Sequence, residues 1–148
     1  MNDRKRKKWL KKNNLYVNPR DTWSLDCTIA EYVLPRLKEF KKVTNGYPGI
    51  GDADTPEKWD EILDKMITAF EYAVSFDGWW INDPRYDYSN GLHMVEKKLD
   101  DGSRVTHIEA EDWCEPIREA KNKEYERRQK VIEEGLQLFA KWFQHLWW

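Results

Sequence analysis

The sequence predicts a mainly α-helical fold: a compact domain of about three long helices around one core, with a single β-hairpin inserted before the last helix. Three observations carry that reading. Apolar residues recur at helical spacing in three segments, those segments open on capping or proline signals, and one Asp-Gly pair separates two short strand-like runs. At 148 residues with 40% hydrophobic side chains, the chain suffices for one core and is short for two.

Residues 1–12 carry seven Lys/Arg and one acid, which leaves 18 basic and 26 acidic side chains to residues 13–148. A basic arm, residues 1–14, thus precedes an acidic domain at 15–148. Arg4-Lys5-Arg6-Lys7-Lys8 is clustered enough to meet phosphates through counterion release. The expectation is nevertheless a solvated, partly flexible tail, because the acidic body opposes broad nucleic-acid binding. Asn13-Asn14-Leu15-Tyr16 follows the basic run where a secretory signal would turn apolar, so a cytosolic protein is expected. The mean hydropathy is −0.93 and no apolar run approaches bilayer-spanning length, so no membrane partner is expected. Cys27 and Cys114 stand 87 positions apart with no metal-ligand spacing, which predicts reduced thiols.

The first helix is expected from a cap at Asp21 or Thr22 to about Lys42, with Leu25, Ile29, Val33, Leu37 and Phe40 on one face. Pro35 predicts a kink, because proline removes the hydrogen bond to the carbonyl of Glu31. Asn45 to Gly51 reads as loop. Thr55-Pro56 opens the second helix, near 55–75, whose stripe is Trp59, Ile62, Leu63, Met66, Phe70 and Val74. Asp60, Asp64 and Glu71 share one flank of it, within about 40° around the axis. An ordinary solvated edge is the simpler reading of that flank; a semi-buried cluster that holds a cation, a ligand amine or an arginine is the sharper one.

Residues 76–91 form an aromatic loop in which Trp79, Trp80, Tyr86 and Tyr88 interleave with Asp83, Arg85 and Asp87, a composition suited to packing over a core or to stacking a planar ligand. Asp101-Gly102 then predicts a type I′ hairpin near 93–109 that pairs Val95 with Ile108 and Glu96 with His107. That register puts His93 and His107 on opposite faces, where they cannot share a metal. Pro116 is expected to open the last helix, to about 147, with Tyr125, Ile132, Leu136, Phe139, Phe143 and Leu146 on its apolar face and Gly135 and Arg128 beside them. So aromatic a terminus is expected at the centre of the core. Gly135 predicts a close helix crossing, and Arg128 predicts an acidic partner, for which the Asp60/Asp64/Glu71 flank is the candidate.

Four blocks resemble a family of small proteins encoded by tailed bacteriophages. They are Asp21 to Ala30, Leu34-Pro35-Arg36-Leu37, Trp59 to Glu71, and Gly135 to Trp147, matching the pattern DTWS-x-D-x-T-x-A, LP-x-L, WD-x-x-L-x-x-MI-x-AFE and GL-x-LF-x-K-aromatic-aromatic-x-x-LW. The match spans roughly half the chain in the right order, and ordered blocks are far more specific than any one alone. Cys27 departs from the histidine of the family pattern, which weakens any metal or catalytic role there. The resemblance implies a phage accessory protein acting in the host cytoplasm; it supplies no reaction.

No nucleotide-binding glycine loop, zinc-hydrolase helix or serine elbow is present, so no catalytic residue, resident metal or cofactor is assigned. Three function classes then compete. The favoured one is a non-enzymatic, oligomeric counter-defence protein that sequesters a host small molecule such as a nucleotide signal. Its candidate ligand-binding residues are Trp23, Asp26, Arg36, Asp60, Asp64, Glu71, Trp79, Trp80, Arg85 and Arg128. The second is a structural or host-protein-binding phage protein using Trp147-Trp148 and the basic arm. The third is a metal-dependent enzyme built on Asp26, Asp60, Asp64 and Glu71.

Overall fold

The computed structural model describes residues 2–76 and 78–147, with the side chain of Asp21 left aside. The fold is mainly helical with one antiparallel hairpin, as the sequence predicts. In chain order it comprises α1 (Asp3–Lys12), α2 (Leu25–Val43), α3 (Pro56–Val74), β1 (Leu92–Lys98), β2 (Arg104–Ala110) and α4 (Cys114–Trp142). Among the described residues no helix is long and apolar enough to cross a membrane.

The basic arm is helical rather than extended. Asn2 caps α1 by accepting from the backbone N–H of Arg4 and Lys5, and no residue of that helix is buried. Lys11 and Lys12 sit in its last turn, where the helix dipole favours cations. The chain then enters α2 through a short turn of 3-10 helix at Pro19–Thr22. Thr22 does not cap α2; its hydroxyl donates to the carbonyl of Pro19, and α2 starts at Leu25 after Ser24. The helix passes through Pro35 and continues to Val43.

The core belongs to α3. Thr55 accepts from the N–H of Lys58 and Pro56 takes the first helical position, which fixes the start as expected. Trp59, Ile62, Leu63, Met66, Ala69 and Phe70 are all buried, and α3 packs against α2 on one side and α4 on the other. This corrects the expectation for the C-terminus. Over its 29 residues α4 buries Cys114, Ile132, Gly135 and Trp142, whereas Tyr125, Leu136, Phe143 and Trp147 remain exposed. A helix at the side of a three-helix layer has one covered stripe, while the middle one is covered on two. The predicted close crossing is present: a β-carbon on Gly135 would overlap that of Ala69 and stand 2.8 Å from the carbonyl oxygen of Lys65.

The hairpin register differs from expectation by one residue. Val95 faces His107, Met94 faces Ile108 and Glu96 faces Thr106. The cause is the turn: Gly102 N–H donates to Leu99, Leu99 N–H donates to Ser103, and Gly102 has φ +84°. This is a three-residue loop with a glycine in the left-handed region, rather than the two-residue type I′ turn. A one-residue shift moves every partner across the sheet. His93 and His107 consequently share a face instead of pointing to opposite ones, and each meets a glutamate: His93 with Glu111 at 2.7 Å and His107 with Glu109 at 2.9 Å. Both strands are largely exposed, and among the described residues the hairpin makes no extended contact with any helix.

Candidate functional site

The sequence candidates fall into four separate places. Trp23 is 93% exposed on the turn before α2, and Asp26 is exposed on the first turn of that helix. Arg36 stacks on Tyr32, 3.6 Å from its ring centroid, and donates to the Tyr32 carbonyl. The acidic flank of α3 faces α2: Lys41 lies 2.5 Å from Asp64 and 3.7 Å from Asp60, and Lys38 lies 2.6 Å from Glu71. These are half-exposed helix-to-helix ion pairs that set how α2 lies on α3. Among the described residues no group of three His, Cys, Asp or Glu side chains converges closely enough to hold a metal ion.

Arg128 does not reach that flank, which corrects the expected pairing. Its Nε donates to Glu124 one turn earlier on α4, at 2.9 Å. Its guanidinium also lies 4.3 Å from the Trp79 ring and 4.6 Å from the Tyr72 ring. A cation–π sandwich with a carboxylate one turn away satisfies a mostly buried arginine without a distant acid. Glu124 is held down to about 2 by Arg127, which also bonds the Tyr72 hydroxyl, and by Arg128. The aromatic loop 78–91 completes this unit. Trp79 meets Trp80 and Tyr86 edge-on, Lys121 lies over Trp80, and Arg85 forks onto Asp83. Here the loop packs on α4 as a cover, and both its Arg85 and the Arg128 of α4 are already engaged.

A further cavity lies elsewhere, at the other end of α3. It has a volume of about 230 Å³ and is lined by Asn45, Gly46, Tyr47, Pro48, Trp59, His145 and Trp147. One wall is the loop after α2. That loop is held by hydrogen bonds between Gly49 N–H and Ala53 O and between Ala53 N–H and Ile50 O, with Gly49 and Gly51 at positive φ. An ion pair from Asp52 to Lys141 fastens the loop to α4. The floor is Trp59, in the first turns of α3, which meets Trp142 edge-on at 5.7 Å. The opposite wall comes from the chain beyond α4, where a 3-10 turn at Phe143–His145 redirects the backbone and brings His145 and Trp147 to the cavity.

Among the described residues three buried ring nitrogens lack a hydrogen-bond partner: His145 Nδ1 in the wall of this cavity, Trp142 Nε1 in a ring 5.3 Å from that of His145, and Trp79 Nε1 in the aromatic loop. Buried polar groups are nearly always paired, because an unpaired one forfeits roughly 1–3 kcal/mol of hydration. Aromatic walls, a few polar edges and unmet ring nitrogens are the chemistry of a small planar-ligand site. None of the ten residues singled out in the sequence lines it. Its signals were Tyr47 between two turn glycines, in a segment that reads as loop, and a histidine within a terminus that reads as core. No family model, curated protein or solved structure matches this chain.

Proposed function

We propose that this chain is a non-enzymatic ligand-binding protein whose site is the cavity between the 45–48 loop, Trp59 and the His145–Trp147 segment. The observation that supports it is the conjunction of three aromatic side chains, Tyr47, Trp59 and Trp147, with the unpartnered buried ring nitrogen of His145. At about 230 Å³ the cavity is smaller than a typical drug-sized site of roughly 300 Å³ or more, so it suits one planar ring system with its substituents left in solvent. A nucleobase has that shape, a π-face for Tyr47 and Trp147, and an edge for Asn45 and His145.

Taken with the resemblance to tailed-phage proteins, the reading is a phage accessory protein in the host cytoplasm. It assembles as a homo-oligomer and removes a host nucleotide signal from circulation. Binding without turnover is preferred because the carboxylates of the α3 flank are matched by lysines and Arg128 is matched by Glu124.

Calorimetric titration with linear and cyclic mono- and dinucleotides tests this reading. Saturable binding, weakened at least tenfold in Trp147→Ala and Asn45→Ala, with the nucleotide recovered intact, is expected. Turnover of the nucleotide would replace sequestration by catalysis, and no binding of any nucleotide would favour the host-protein-binding alternative. Native mass spectrometry of protein purified from phage-infected and uninfected cells identifies the natural ligand.

A further inference from the structure

A folded monomer of 17.9 kDa exposes about 8,000 Å² of surface, whereas this chain exposes 11770 Å². The excess exceeds what a stable dimer buries per partner, about 800 Å² for a standard interface and more for an obligate one. Part of it is an apolar stripe on α2. Leu25, Ile29, Tyr32 and Val43 are 51%, 49%, 61% and 43% exposed, although they sit on one helix that also buries Ala30 and Leu37 against α3. At about 100° per residue, Leu25, Ile29, Tyr32, Arg36, Glu39 and Val43 fall within about 80° around the axis. The buried stripe is centred about 100° away. This helix therefore carries two seams, one for its own core and one facing outward.

The outward seam repeats with alternating steps of four and three residues, the spacing of a helix that packs along another helix. It is also symmetric about a point between Tyr32 and Arg36. Reversing the helix end for end sets Leu25 opposite Val43, Ile29 opposite Glu39 and Tyr32 opposite Arg36. Twofold interfaces demand this self-complementarity, since each contact must occur twice with the roles exchanged. Arg36 already lies on Tyr32 within the chain at 3.6 Å, so the twofold would gather two tyrosine rings and two guanidinium groups into one stack at the axis. Beside the seam, a groove of about 250 Å³ lined by Val33, Leu37, Phe40, Phe139 and Leu146 offers further apolar area.

We infer that two copies of this chain associate through an antiparallel α2–α2 pair centred on Tyr32 and Arg36. This gives the oligomer of the proposed function a surface and a symmetry; it uses no residue of the aromatic cavity, so each reading can fail without the other.

Sedimentation velocity of the full chain at about 10–100 μM is the test. The wild type should sediment at twice the chain mass. Ile29→Glu, which sets like charges against Glu39 of the other copy, should halve that mass with an unchanged circular dichroism spectrum. Adding Glu39→Lys to Ile29→Glu should restore the dimer, because this register alone makes the two positions partners. A monomeric wild type, a dimer indifferent to Ile29→Glu, or failure of the second substitution to restore association would each overturn the proposal. Nucleotide titration of Ile29→Glu reads the cavity separately, and its binding should persist.

Discussion

Gly135 and Ala69 meet where α4 crosses α3, so closely that a β-carbon on Gly135 would overlap the one on Ala69 and press on the carbonyl oxygen of Lys65, 2.8 Å away. Glycine in a helix costs about 1 kcal/mol relative to alanine, and the crossing offsets that cost by letting the two backbones approach. Gly135→Ala should therefore lower stability by about 1–3 kcal/mol despite the gain in helix propensity, and Gly135→Leu by more. Urea unfolding checks it. Ala69→Gly in the Gly135→Ala background should recover part of the loss, a non-additivity expected only of residues in contact.

Glu124 carries the clearest pH dependence. Its carboxyl is lowered from the ordinary 4.5 to about 2 by the Arg127 and Arg128 guanidinium groups. A group with a depressed folded-state value contributes stability that is complete above its unfolded value and is lost as the pH falls through the folded one. The contribution should thus fade between about pH 5 and pH 2. Glu124→Gln should destabilise at pH 7 by about 1–2 kcal/mol, since it leaves Arg128 without its carboxylate, and should flatten the acid limb of the stability profile. An acid limb unchanged by Glu124→Gln would show that the pair contributes nothing.

The hairpin should open independently of the helices. A two-stranded ribbon is marginal alone, and among the described residues this one makes no extended contact with any helix. Gly102 has φ +84° and open space around it, so Gly102→Val acts through backbone strain alone. Hydrogen exchange should quicken in 92–98 and 104–110, while the amides of α3 keep wild-type protection. Equal acceleration in α3 would mean that hairpin and core unfold as one unit.

Deleting residues 2–12 should leave the thermal midpoint within a degree or two, because α1 buries none of its residues. Gel shifts with single- and double-stranded DNA and RNA at low salt should show little affinity to lose. Strong, salt-sensitive binding abolished by the deletion would instead make α1 a nucleic-acid contact.

Helical periodicity located α2, α3 and α4, capping marked the start of α3, and the Asp101-Gly102 pair located the hairpin, while Gly135 disclosed the crossing because few other reasons place a glycine within such a helix. The misreadings share a physical origin. Local pattern says that a stripe is apolar but not which partner covers it, so the aromatic terminus appeared central when the middle of the stack belongs to Trp59–Phe70. Arg128 appeared to need a distant acid because cation–π packing on Tyr72 and Trp79 depends on where the 78–91 loop lands. The hairpin register turned on one extra loop residue. The cavity was the least legible feature, since it forms only when Asn45–Pro48, Trp59 and Trp147 are brought together from three distant segments.

In the proposed function the aromatic cavity, and neither Trp23 nor the Trp79–Trp80 loop, receives the ligand. Indole N–H resonances resolve these tryptophans individually, so titrating the protein with adenosine, AMP and a cyclic dinucleotide while following them by NMR is the most direct test. Saturable shifts of the Trp59, Trp142 and Trp147 signals are expected, with those of Trp23, Trp79 and Trp80 unmoved. Shifts confined to Trp23, Trp79 or Trp80, or no shift with any of the three probes, would contradict it.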